Sequence, residues 1–381
     1  MIRSLFCFTL LLGSLPCHAL TADELQRFID EAAKADGGSE VVIPPGNHVL
    51  DHSLVIRNAK KLRIAGLDAE TTVLELQALA FGESSAIAKA GDDVIQMRRM
   101  QGLKPGMRLR VEAKGHGLVE VKSVAEDRIT LTKALGLPCP AGVLLRSDQA
   151  SNIFEIRGAS ELVQIDKLTL DGGRKDGDPL VRDQGLLGGI VATGDYGNEK
   201  SPEGSRIKGV RIERCFFQNF HGSGISLQAC EDATVQNCTF RDSASVAIRF
   251  DPFTTGSQAR HNHIARCLTG IELNRALNCL IDQNDLLACG TGIRVSSTSN
   301  VSSTEEKHII RGNQIEQTSG NAIQMDAHTA NSTITGNFIQ GSSGHGILLS
   351  GQAHIVKDNQ ITLGTKEAVY VSAGEHEIDA R

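Results

Sequence analysis

The second half of the chain repeats itself, and the repeat limits what the whole can fold into. The segments RCFF, NCTF, HNHI, QNDL, GNQI, GNFI and DNQI align on Cys215, Cys238, Asn262, Asn284, Asn313, Asn337 and Asn359, at intervals of 23, 24, 22, 29, 24 and 22 residues. The long interval contains SSTSNVSSTEEK, which reads as a loop insertion. A second series keeps step with the first: Ile225, Ile248, Ile271, Ile293, Ile323, Ile347 and Val369. The segment LVQIDKLTLDGG fits the same register before a longer insertion at 172–206. A period near 23 with several short strands per repeat implies a solenoid of parallel β coils, because one coil cannot bury its apolar face alone. Stacking at about 4.8 Å joins Ile, Val, Leu and Phe into one core. Leucine-rich repeats share the period, but their Leu ladder and per-repeat helix are missing here. The 39 glycines and 4% aromatic content suit many short strands joined by turns.

The N-terminus has a different logic. MIRSLFCFTLLLGSLPCHAL carries a basic residue, Arg3, then the apolar run Leu5–Leu15, then small residues around Ala19. This is the pattern of a signal peptide over 1–19, too short to span a bilayer. The mature chain is therefore expected to start near Leu20 and to be secreted, periplasmic or on the cell surface, with no membrane insertion. Losing Arg3 takes the formal charge from −6 to −7. There is no basic block and no Trp, which argues against nucleic acid as a partner. Of nine cysteines, Cys7 and Cys17 leave with the leader, so seven remain, an odd number.

A helix opens the mature chain. Thr21 and Glu24 form a capping box, Leu25, Phe28, Ile29, Ala32 and Ala33 follow helical spacing, and Gly37 is the expected stop. Residues 20–87 read as this capping helix and the first coils. Residues 88–148 break the coil pattern and read as a small antiparallel β insert, either walling a groove or purely structural. Residues 149–374 carry the repeats, and 375–381 are a charged tail expected to fray.

The stretches GGSEVVIPPGNHVL and LRIAGLDAETTVL, followed by coils of the form VxIxxCxFxN…GIxL, resemble the pectate-lyase-like right-handed parallel β-helix superfamily with its PbH1-type repeats. The resemblance covers about residues 21–76 and 150–374. It implies an all-β, right-handed parallel β-helix. It leaves function open, since the superfamily holds polysaccharide lyases, polygalacturonases, uronan C5-epimerases, phage tailspikes and non-catalytic surface proteins.

Strand alternation selects the outward residues. One column is Ser226, Arg249, Glu272, Arg294, Gln324, Leu348 and Tyr370. The next is Gln228, Asp251, Asn274, Ser296, Asp326, Ser350 and Ser372. Charge gathers in the middle coils, with His221 in the turn before this sheet and His328 after it.

The patch is expected to act on an extended, acidic polysaccharide, with a lyase or epimerase favoured among three readings. Arg249 and Arg294 would neutralise a uronate carboxylate while His221 or His328 removes the C5 proton, in a lyase or epimerase. In that scheme Glu272, Asp251 and Asn274 offer oxygen ligands for a possible Ca²⁺. Alternatively Glu272 and Asp326, two coils and about 9.6 Å apart, would hydrolyse a glycoside. The third reading is an ion-pair ladder on a solvated sheet, in a glycan-binding or structural protein. Asn274, Gln324 and His328 are the expected substrate-binding residues. The discriminating feature is whether the charges lie open or pair with one another.

The superfamily's motifs depart here. Uronan C5-epimerases carry Asp-Pro-His-Asp where this chain has Asp251-Pro252-Phe253-Thr254, and polygalacturonases carry paired aspartates where it has Ala244-Ser245. Cys215/Cys238 and Cys267/Cys289 stack in adjacent coils and read as a buried thiol ladder or as disulfides. The loop DGGRKDGDP reads as a solvated turn or a cation loop. The oligomeric state is not legible.

Overall fold

The computed structural model describes residues 8–10, 19–35, 37–148, 152–175, 178, 187–195, 206–297, 307–362 and 366–379. The chain winds through three parallel sheets in turn. Sheet I has 12 strands, sheets II and III have 10 each, and every strand pairs with its counterpart one coil away. The first full coil shows the order: Ser39–Ile43 in sheet I, Gly46–Leu50 in sheet II, Leu54–Arg57 in sheet III. One apolar cluster, from Leu25 through Phe154, Phe217 and Phe250 to Val356, fills the interior. Along each strand the alternate residues that enter this cluster are the ones with negligible exposure, as a period of two requires.

Helix α1, Ala22–Ala33, buries Leu25, Phe28, Ile29 and Ala32 against the first coil. Its capping box is formed as expected, and Lys34 ends it before Gly37 is reached. The helix also closes a sheet edge. Gln26 donates to Val55 O at 2.8 Å and accepts from Val55 N at 2.7 Å, satisfying backbone groups that the first strand of sheet III leaves unpaired. Phe8–Leu10 runs parallel to Ser39–Val41. At the other end the charged tail contributes a strand over 377–379. Glu377–Asp379 adds the last strand of sheet I, with Ile378 opposite Val356.

Two side-chain ladders hold the turns. Between sheets I and II, Asn284 Oδ1 accepts from both Asn262 N (3.0 Å) and Asn262 Nδ2 (2.9 Å). Asn313, Asn337 and Asn359 repeat the pattern coil by coil. Backbone groups in a buried turn are thus paired. Between sheets III and I a mixed ladder does the same work: Ala233 N donates to Ser257, Cys279 N to His308, Ser332 N to His354, and His354 N to His376. Burial drives the pKa of His308 down to about 3 and that of His354 to about 4.

All seven cysteines from Cys139 onward are buried free thiols, so the stacked pairs form a thiol ladder and not disulfides.

Gln77–Ser151 is a separate compact unit, reaching past 88–148 at both ends. Its six antiparallel strands close into a barrel, with Phe81–Ser84 and Leu144–Ser147 adjacent in it. It has its own core of Ile95, Met97, Leu109, Val121, Ile129 and Leu145, among others.

Candidate functional site

The site candidates lie on sheet III because every strand there is in register. Ser226 pairs with Arg249, Arg249 with Glu272, Glu272 with Arg294, Arg294 with Gln324, Gln324 with Leu348 and Leu348 with Tyr370. Ile248 and Phe250 point inward and have no exposed surface. Arg249 between them, and Asp251 just after, therefore point outward.

The charges meet side by side and pair. Arg249 Nε lies 2.9 Å from Asp251 Oδ1 and 3.3 Å from Glu272 Oε2, so those two carboxylate oxygens are at most 6.2 Å apart. The angles are poor, and Arg249 Nε is buried without a well-formed hydrogen bond. Arg294 reaches the other side of Glu272, with Nη1 3.9 Å from Oε1. Its Nε and Nη2 bind Asp326 Oδ2 at 3.1 and 2.7 Å.

Neutral groups tie in the ends. Ser226 Oγ and Asn274 Nδ2 donate to Asp251. Gln324 Nε2 donates to Asp326 Oδ1 at 2.8 Å, and Asn321 Nδ2 donates to Gln324 Oε1 at 3.1 Å. Asn321 was not among the sequence candidates, because it sits in a turn and belongs to neither column.

Glu272 contrasts with the buried acid Asp166. Burial raises the pKa of Glu272 above the usual carboxylate value, against the pull of Arg249 and Arg294 and with help from Asp251 and Asp326. Asp166 on sheet I is wholly buried, and burial pushes it up as well. There the hydrogen bonds from Arg214 and Arg63 win and hold its pKa down. The difference is geometric: among the described residues no hydrogen bond of good geometry reaches the Glu272 carboxylate. A buried acid whose charge is poorly compensated is a site signature.

His221 is buried in the turn between Phe216–Gln218 and Ile225–Gln228, with Nε2 4.0 Å from Asp178. His328 is exposed beyond Asp326, and no described hydrogen bond or ion pair ties it to the strip. His261 sits in a left-handed turn and His263 on sheet II, away from Asp251. The oxygen set expected for Ca²⁺ does not converge, because the Arg249 guanidinium lies between Asp251 and Glu272. Among the described residues no His/Cys/Asp/Glu cluster fits a metal.

In the loop DGGRKDGDP, the Asp171 carboxylate is taken by Gly173 N, Gln218 and Asn219. Most of 172–206 and 298–306 lies outside the described residues. Two described cavities lie off the strip. One, of about 450 Å³, is inside the barrel unit beside His116 and Leu118, and one, of about 570 Å³, is beside α1 at Gln26 and Arg57.

Comparison with known proteins bears on the fold. The family model described as "Right handed beta helix region" matches residues 202–361. No curated protein matches the sequence. Among solved structures, the A-module of mannuronan C-5 epimerase AlgE6 from Azotobacter vinelandii aligns with TM-score 0.58 at 14% identity, covering 96% of this chain and 94% of that one. The enzymatically active domain of tailspike protein 2 from bacteriophage CBA120 gives 0.55 at 9% identity, over 95% of this chain and 47% of that one. A polygalacturonase from Erwinia carotovora subsp. carotovora gives 0.53 at 10%, over 98% and 96%.

Proposed function

We propose, for a chain that is a right-handed parallel β-helix of the pectate-lyase-like superfamily, that it is an exported protein acting on an extended polysaccharide laid along sheet III, with the reacting bond over Glu272. One observation carries this reading: Glu272, whose pKa burial raises, lies beside Asp251, with carboxylate oxygens at most 6.2 Å apart across Arg249 Nε. Two carboxyl groups held in unlike environments are the acid and base pair of glycoside hydrolysis. Protonated Glu272 would give its proton to the leaving oxygen. Asp251 would attack or direct water, and a spacing under about 6.5 Å falls on the retaining side. A lyase or epimerase is less well served, since both arginines already hold protein carboxylates.

A second reading has its own observation. Arg249, Asp251, Glu272, Arg294 and Asp326 form an unbroken chain of ion pairs. Similar pairs occur elsewhere, Arg266–Asp242 at a turn and Arg311–Asp282 across adjacent strands of sheet I. On that reading the face is a glycan-binding or structural surface without chemistry.

The test is a polysaccharide panel, acidic and neutral, given to the protein and its Glu272→Gln variant. The readouts are reducing ends and the ultraviolet absorbance of unsaturated uronate. Reducing ends lost in the variant support hydrolysis, and unsaturated product lost in the variant moves the reading to a lyase. Turnover equal in both proteins removes Glu272 from the reaction. No turnover on any substrate favours the second reading.

A further inference from the structure

At the C-terminal end of the same column the strip changes character. Tyr370 occupies the position that Glu272 and Arg294 hold in earlier coils, through Gln324 and Leu348. Four strand spacings separate it from Glu272, about 19 Å. Its ring stacks on His345 with centroids 4.5 Å apart and planes 12° apart. Tyr370 is still 38% exposed. His345 belongs to the turn before Ile347–Leu349, so the stack spans two coils.

The stack connects to the charged strip. His345 N donates to Asn321 Oδ1 at 2.8 Å, Asn321 to Gln324, Gln324 to Asp326, and Asp326 binds Arg294 beside Glu272. Among the described residues the buried His345 Nδ1 atom has no hydrogen-bond partner, and its ring contact is the stack on Tyr370.

We propose that Tyr370, supported by His345, is a sugar-stacking subsite for the polysaccharide that the strip binds. This rests on the reading of sheet III as a glycan face. An extended glycan needs apolar platforms for the C–H faces of its rings as well as hydrogen bonds for its hydroxyls, and an aromatic ring with a polar edge supplies both. One face of the Tyr370 ring rests on His345, and the 38% of the residue that is exposed offers surface to a sugar ring. The subsite takes an uncharged pyranose face, so it sets how long a chain must be and not which bond is cut.

The sequence has no Trp and only two Tyr, Tyr196 and Tyr370. With Tyr196→Phe, tyrosine fluorescence reports Tyr370 alone. The probes are defined oligosaccharides of galacturonate, mannuronate and β-glucan, from dimers to decamers. Expected is a fluorescence change with one of these series, only above a threshold length. In the full background, Tyr370→Phe should keep the affinity, while Tyr370→Leu should weaken it by roughly three- to tenfold. Any activity should then show the loss in KM and not in kcat. Circular dichroism of both variants checks that the last coil stays folded.

No fluorescence response to any probe overturns the subsite, as does Tyr370→Leu binding like wild type. Turnover that depends on Glu272 but ignores Tyr370→Leu overturns the subsite and leaves the reading of the strip intact. Binding at Tyr370 without turnover upholds the subsite and turns the strip into a binding face.

Discussion

Glu272 sits between two arginines and is still hard to ionise, which makes its effect on stability opposite to that of most paired acids. Its folded pKa lies above the unfolded value of 4.5. Its contribution is therefore fully present below pH 4.5 and is lost as pH rises through the folded value. Glu272→Gln should raise Tm at neutral pH and give no gain below pH 4.5, measured by thermal scans across that range. A lower Tm at neutral pH would show that the arginine pairing outweighs burial and that Glu272 is a strut. Arg249 behaves the other way. Its side chain is 9% exposed and lies against two acids. Arg249→Ala should cost about 3–5 kcal/mol in denaturant titrations, because it leaves buried carboxylates uncompensated. The sequence made the column legible, since alternation and the Ile series fix which residues point outward. It left hidden which charges touch. Arg249 lies between Asp251 and Glu272 because of side-chain rotamers, which no spacing encodes.

The turns make the coils cooperative, and here the two ladders differ in how visible they were. The asparagine ladder repeats one letter in one frame, so Asn262 through Asn359 could be found by alignment alone. The second ladder uses Ser257, His308, His354 and His376 at equivalent turns, each accepting a backbone N–H from the preceding coil. Identity does not reveal it; only the acceptor chemistry is shared. Asn313 accepts from Asn284 N and Nδ2 and donates to Ile281 O, Arg311 O and Asn337. Asn313→Ala should cost about 2–4 kcal/mol, since several buried groups are orphaned at once. The histidines make the coils acid-sensitive. Both His308 and His354 have folded pKa values, about 3 and about 4, below the ordinary 6.5. The unfolded chain thus binds protons first, and stability present above pH 6.5 drains as pH falls toward those values. Tm should drop between pH 6.5 and 4, and His308→Asn should flatten the drop. An equal slope in the variant would assign the loss to other groups.

At the scale of the molecule, each coil touches only its neighbours, so stability is close to a sum over adjacent pairs. Among the described residues the coil at 369–379 pairs on one side only, and Val371 and Ile378 there are 40% and 39% exposed. Hydrogen exchange should be fastest over 369–379 and slowest in the middle coils, and uniform protection would rule out this end-first opening. The solenoid was legible because its period is written seven times. The barrel's limits were not, since Phe81–Ser84 closes it with the unalternating sequence FGES. Among the described residues no helix is long and apolar enough to cross a membrane. The thiols carry a last consequence. All seven lie inside, and burial pushes Cys267 and Cys279 up to about 12 and Cys289 to about 11. Folded, they are inert; each opening of a coil exposes its own sulfur to whatever alkylating or oxidising agent is present. Because such marks are not erased on refolding, the set of modified cysteines in an aged sample is a logbook of which coils have opened.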